Sequence, residues 1–287
     1  MPIKTTAEAL REAQDQLLGS DPNVFIIGEG VNDQGAFGTT KGLKDKFPGR
    51  VLEMPVSENG MTGVCIGAAV SGLRPIMIHM RADFLLLAAD QIINNAAKWW
   101  GMFGGRGGTC PLIIRAIIGR GWGQGLQHSQ HLEKMFAEIP GLIVVCPSNA
   151  YDAKGLLIWA TRQNNPVLFF EHRWIHELKC EVPDEMYEMI PHARVLQHSI
   201  NLSHPQCRKI QTYGYLVHEA MAAAKHNPYL NVIELMSPIG ANWVEKSCCP
   251  PSPGLSRGFY PEAHDLCDRI PRHEPHDVPN SEFKGPF

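Results

Sequence analysis

Glu29, Glu58 and His128 have the chemistry and the surroundings for proton transfer. Glu58 follows an apolar run over 51–56 and precedes the small residues Gly63, Gly67, Ala68 and Ala69. That order predicts a strand, with Pro55 tolerated near its end, and then a helix opened by a carboxylate. A glutamate in a first helical turn is favoured by the helix dipole, and spacing alone favours that plain role. Glu29 comes directly after a short apolar run over 24–27 that ends at Gly28, so a buried strand presents it. Ligands of open parallel sheets gather at strand carboxyl ends, which puts Glu29 and Glu58 on one edge. His128 adds an imidazole, which titrates near neutrality and can hold a substrate carboxylate or donate to an oxyanion.

The elements that must position these residues can be read in order. Thr5 and Glu8 have capping-box spacing, and Leu10, Ala13 and Leu17 then line one face of a helix stopped near Gly19. Further strands are expected over 75–80, 111–118, 142–146 and 167–171. A long apolar helix capped by Asp83 is expected over 84–100, another from the region of His131 to about Ile139, and another over 149–163. Strands without polar alternation, separated by helices, predict a parallel sheet covered on both faces. The glycine-rich stretches 102–110 and 119–125 are not phosphate loops. Neither carries Gly-Lys-Ser/Thr, and Gln124 stands where Gly-x-Gly-x-x-Gly needs glycine. They read as flexible active-site loops. His172 with His176, and Cys267 with His273 and His276, lack complete zinc-ligand spacing.

Composition excludes several classes. The chain has 287 residues, 44% hydrophobic and 19% charged, enough for one or two domains with proper cores. A net charge of −3 without clustered Lys or Arg argues against nucleic acid. No run approaches membrane-span length, the start has no signal-peptide core, and eight cysteines without Cys-x-x-Cys suggest free thiols. A cytoplasmic setting is the expectation.

Six ordered blocks carry a resemblance. They are Ile27-Gly28-Glu29-Gly30-Val31, Met54-Pro55-Val56-Ser57-Glu58, Gly67-Ala68-Ala69-Val70-Ser71-Gly72-Leu73-Arg74-Pro75, Asp90-Gln91-Ile92-Ile93-Asn94-Asn95-Ala96-Ala97-Lys98, Gln127-His128-Ser129-Gln130 and Asp152-Ala153-Lys154-Gly155-Leu156. Over roughly residues 1–180, and more weakly to about 245, the chain resembles the β subunit of the thiamine-diphosphate-dependent first component of 2-oxoacid dehydrogenase complexes, the pyruvate dehydrogenase type. The resemblance implies an α/β fold of two doubly wound parallel-sheet domains. These are a pyrimidine-binding domain over 1–180, a linker over 181–205 and a shortened transketolase carboxyl-terminal-like domain over 206–287.

It also implies roles. Glu58 matches the carboxylate that hydrogen-bonds the aminopyrimidine of thiamine diphosphate, Phe84 the aromatic that packs on that ring, Glu29 an acid of the same pocket, and His128 a histidine facing the cofactor. A structural potassium ion held by backbone carbonyls maps to Leu112, Ala160, Thr161, Gln163 and Asn165. The family's Gly-Asp-Gly turn for diphosphate and magnesium is absent from this sequence. The implied partner is therefore an α subunit that supplies it, together with a second β subunit and a lipoyl acyltransferase core. The alternatives are half of a split transketolase or deoxyxylulose phosphate synthase, or a non-catalytic interaction subunit. Two segments, 80–84 and 117–122, depart from a standard pyruvate enzyme and suggest a specialised 2-oxoacid. In the carboxyl-terminal part, 208–212, 216–225 and 231–236 predict a βαβ unit. The Pro- and His-rich stretch 247–287 is expected to be poorly ordered.

Overall fold

The computed structural model describes residues 1–32, 36–119, 123–201 and 203–237. After a short strand β1 (Ile3–Thr5), helix α1 (Thr6–Ser20) opens with the predicted capping box, Thr5 and Glu8 each satisfying the other's backbone N–H. Then follow β2 (Val24–Gly28), a one-turn helix α2 (Leu43–Lys46), β3 (Val51–Glu53), α3 (Glu58–Val70) and β4 (Arg74–His79). The chain continues through α4 (Trp99–Met102), β5 (Ile113–Ile118), α5 (Glu133–Ala137), β6 (Ile143–Val145), α6 (Ala150–Thr161) and β7 (Val167–His172).

Six of these strands form one wholly parallel sheet in the order β3-β2-β4-β5-β7-β6. Alternate strand residues point to opposite faces, and both faces are buried. Ile26, Ile76, Ile113 and Phe169 pack under Leu10, Leu17, Leu156 and Trp159 of α1 and α6. Ile27, Met77, Ile114 and Phe170 pack under Cys65 and Ile66 of α3, Leu85, Ile92 and Phe136. This is the α/β architecture the strand pattern predicts.

Several elements differ from the expectation. The strand expected over 51–56 stops at Glu53, because Pro55 has no amide to extend the ladder, and Val56 is left exposed. The single helix expected over 84–100 is instead a 3-10 turn (Ala82–Leu86), a π-helical turn (Gln91–Ala96) and α4. Side-chain competition accounts for the wide turn: Asn94 bonds Asp90, Asn95 bonds Gln91, and Ala97 N–H reaches back to Ile92 O. Asp83 caps no helix. It accepts from Gln130. Gly67 has open space where a Cβ would point, so it makes no close helix contact among the described residues.

Two strands too short to show a period flank and enter the stretch read as a linker, β8 (Lys179–Glu181), antiparallel to β1 and ending where that stretch begins, and β9 (Ala193–Gln197) within it. The expected βαβ unit follows as β10 (Arg208–Thr212), α7 (Leu216–Ala224) and β11 (Leu230–Leu235), with β10 and β11 parallel. Since β9 joins β11 antiparallel, this second sheet is mixed, not wholly parallel. Arg194 of β9 donates to Glu234 of β11 at 2.6 Å and ties the second sheet to α6 by donating to Asp152 at 2.5 Å. The described residues belong to one compact unit, Met1–Pro253. The stretch 247–287, including Cys267, His273 and His276, lies outside the described residues. Among the described residues no helix is long and apolar enough to cross a membrane.

Candidate active site

The sheet's register sets the site. Gly28 lies opposite Glu53 on one side and Ile78 on the other, so β2, β3 and β4 end together and deliver Glu29, the 54–58 turn and His79 to one edge. Gly28 is required there: a Cβ on it would come within 2.6 Å of Ile78 O. Gly28→Ala should therefore cost about 1–3 kcal/mol by overpacking, read from urea unfolding midpoints.

Glu58 is the first residue of α3 and only 5% exposed, with Thr62 donating to its backbone carbonyl at 2.6 Å. Glu29 is half-buried, and its Oε1 is buried without a hydrogen-bond partner. Burial raises its carboxyl pKa, and the like charges of Glu58 and Glu53 add to the shift. Glu53 is spent on structure, accepting from the amides of Gly30 at 2.5 Å and Asn32 at 3.1 Å. Nearby, Asn32 Oδ1 is also buried and unpartnered.

Farther along the edge Phe84 meets His128 edge-on, ring centroids 5.3 Å apart. His128 ends a 3-10 turn (Leu126–His128) and is half-buried. Sequence reading put Glu29 and Glu58 on one edge, and the resemblance named Phe84 and His128 separately; the structure sets Glu29 and Glu58 at neighbouring strand ends and packs Phe84 against His128. Sequence reading left His131 as structural, and His131 bonds Glu133 at 2.9 Å. It missed Arg81, His79 and His172. His79 is buried with both ring nitrogens unpartnered, and burial pushes its pKa down to about 4. His172 is also held at about 4, by burial first and then by the positive charge of His131 and Arg81. Both histidines are the last residue of a strand, so the carboxyl-end rule that found Glu29 could have found them. His172 accepts from Trp174 N through Nδ1, His176 bonds Glu171 through Nε2, and no metal-binding cluster exists among the described residues.

The carbonyls implied for potassium lie elsewhere. Those of Thr161 and Gln163 converge on Arg74 Nη1 at 2.5 and 3.3 Å, that of Ala160 accepts from Gln163 N and that of Leu112 from Val167 N. Asn165 donates its side-chain amide to Gly141 O.

Comparison with known proteins places this geometry. A family model described as transketolase, pyrimidine binding domain, matches residues 3–176. The β subunit of acetoin:2,6-dichlorophenolindophenol oxidoreductase from Cupriavidus necator is 41% identical over 257 residues, covering 83% of this chain and 74% of that one. The pyruvate dehydrogenase E1 component subunit β of Gracilaria tenuistipitata is 42% identical, covering 80% of this chain and 71% of that one. Among solved structures, a split-gene transketolase described as an inactive β4 tetramer superposes with TM-score 0.63 at 20% identity, covering 81% of this chain and 71% of that one, a likeness of fold alone. The chain belongs to the transketolase pyrimidine-binding family and, within it, to the group that holds the β subunits of the pyruvate dehydrogenase E1 component and of the acetoin oxidoreductase.

Proposed function

We propose that this chain is the β subunit of a thiamine-diphosphate-dependent 2-oxoacid dehydrogenase first component, acting with an α subunit. The observation that carries the reading is the row of buried polar atoms without partners at the sheet's carboxyl edge, Glu29 Oε1 and Asn32 Oδ1 beside the buried Glu58. Buried polar groups are almost always paired, so this edge is built for something the chain does not itself contain. Acceptors at the start of α3 fit the nitrogen-rich face of an aminopyrimidine.

When bound, thiamine diphosphate supplies an acidic thiazolium carbon that adds to the carbonyl of a 2-oxoacid. Glu58 would accept a hydrogen bond from the pyrimidine ring nitrogen and favour the protonated ring. Glu29, its pKa raised, is able to hold a proton in the same network. Phe84 covers the flat ring. His128 holds the substrate carboxylate or donates to the oxygen that gains charge. Thiamine diphosphate held there would support loss of carbon dioxide from the 2-oxoacid and acylation of lipoamide, whose disulfide would take up the two electrons as it is cleaved to thiols.

The chain lacks Gly-Asp-Gly, so the α subunit supplies the diphosphate and magnesium site. A second β subunit completes a heterotetramer, a lipoyl acyltransferase core is the acceptor's carrier, and the setting is the cytoplasm. An alkali ion on the carbonyls of Leu112, Ala160, Thr161, Gln163 and Asn165 does not fit this arrangement. A guanidinium nitrogen already stands where two of them converge, and no step passes through such an ion. The split-transketolase alternative has only likeness of fold behind it, whereas the dehydrogenase reading has relatives above 40% identity.

The purified chain alone should show no micromolar binding of thiamine diphosphate with magnesium in calorimetric titration, and the α subunit should restore it. Micromolar binding by the chain alone overturns the division of the site.

A further inference from the structure

Arg81 and Asp83, separated only by Ala82, face both ends of the stretch that carries His128. Arg81 is 2% exposed, and its Nη2 donates to Gly119 O, just past the end of β5. Gly119 has φ +83, and a Cβ there would fall 2.2 Å from His172 Nε2, so only glycine lets the chain turn this carbonyl toward Arg81. Asp83 is 7% exposed, and its Oδ1 accepts from the Gln130 side chain at 2.8 Å and from the Gln130 amide at 3.4 Å. Between these anchors the turn is held within itself, Gly125 O accepting from His128 N at 3.3 Å and from Ser129 Oγ at 2.9 Å. The turn also meets the residue after Asp83, His128 packing edge-on against Phe84. Arg81 and Phe84 also share a backbone bond, Phe84 N–H to Arg81 O at 3.2 Å. The two segments that depart from the pyruvate-enzyme pattern, 80–84 and 117–122, thus touch each other through Arg81 and Gly119.

We propose that Arg81 and Asp83 are positioning residues, a clamp that sets where the His128 imidazole stands at the reacting end of the site. This rests on the role of His128 given above. A charge-assisted anchor on each side, from the buried Arg81 and Asp83, removes freedom that Gly123 and Gly125 would otherwise give. Asp83 carries the more direct link, because its partner Gln130 stands two residues from His128 in the chain.

The test uses the complex reconstituted with its α subunit. Asp83→Ala should lower kcat about tenfold to a hundredfold with KM little changed, since misplacement of order 1 Å at a reacting group has that effect. Asp83→Asn keeps an oxygen to accept from Gln130 and should recover most of the loss. Gln130→Met removes the same bond from the other side and should match Asp83→Ala, which guards against a folding defect. In a His128→Ala background Asp83→Ala should add nothing. An equal loss in that background overturns the clamp. A second readout needs no turnover. The His128 ring resonance in the isotope-labelled chain feels the Phe84 ring current and should move in Asp83→Ala and return in Asp83→Asn. An unmoved resonance overturns the proposal. If the wild-type complex turns over no 2-oxoacid while the resonance does move, the functional reading fails and the clamp stands.

Discussion

Glu58→Gln should slow thiazolium proton exchange in the reconstituted complex by about a hundredfold to a thousandfold, at equal thermal stability. The size follows from the loss of one charge-assisted hydrogen bond in a site closed to water, worth several kcal/mol. Glutamine keeps the volume and can still hydrogen-bond, but it carries no negative charge to favour a protonated ring. The fold should tolerate the change. Glu58 was expected as an exposed first-turn acid, and the structure buries it, so its charge gains about 0.3–1 kcal/mol from the helix start while bearing a burial cost. Those two effects oppose each other. An unchanged exchange rate transfers the activating role to Glu29, the other carboxylate of the edge and the one whose pKa the pair's repulsion raises.

Arg115→Met should destabilise the chain by about 3–5 kcal/mol, the largest loss expected from a single substitution away from the site. Arg115 of β5 and Glu171 of β7 are each 1% exposed and joined by two bonds, at 2.6 and 2.9 Å. Arg115 also donates to Gln14 of α1 at 2.8 Å, Gln14 donates to Thr39 O at 2.6 Å, and His176 bonds Glu171 at 3.0 Å. Removing the guanidinium leaves a carboxylate in the core with one partner and the Gln14 side-chain oxygen without its donor. Burial by itself would raise the Glu171 pKa, but Arg115 and His176 override it and hold the carboxyl at about 2. The folded pKa lies below the unfolded one, near 4.5, so the pair stabilises above pH 4.5 and that contribution fades as pH falls toward 2. Denaturant melts of wild type and Arg115→Met between pH 7 and pH 2 check both points: the gap between them should narrow on acidification. A gap that is constant with pH, or a loss below about 1 kcal/mol, contradicts the account.

How much of this was legible in the sequence depended on whether the signal was local. The capping box at Thr5 and Glu8, the strand end at Gly28, and the helix opened by Glu58 are written in adjacent residues, because caps and apolar runs act over a few positions. From them the parallel sheet and its ligand edge follow, and so does the placing of Glu29 and Glu58 on that edge, whereas Phe84 and His128 were named only by the family resemblance and their contact by the tertiary structure. What failed was also local in form, but its outcome was set at a distance. The apolar run after Asp83 reads as one helix, yet side-chain bonds among Asp90, Gln91, Asn94 and Asn95 break its regularity, and Asp83 turns to Gln130, 47 residues on. Strands β8 and β9 are too short for a period and exist because β1 and β11 offer edges to pair with. Burial of Glu58, the low pKa of His79 and His172, the link from Arg81 to Gly119 and the network around Glu171 were likewise beyond reach. Each depends on which remote groups the packed chain brings within a few ångströms, and dehydration and Coulomb energy are decided by that neighbourhood and not by order along the chain.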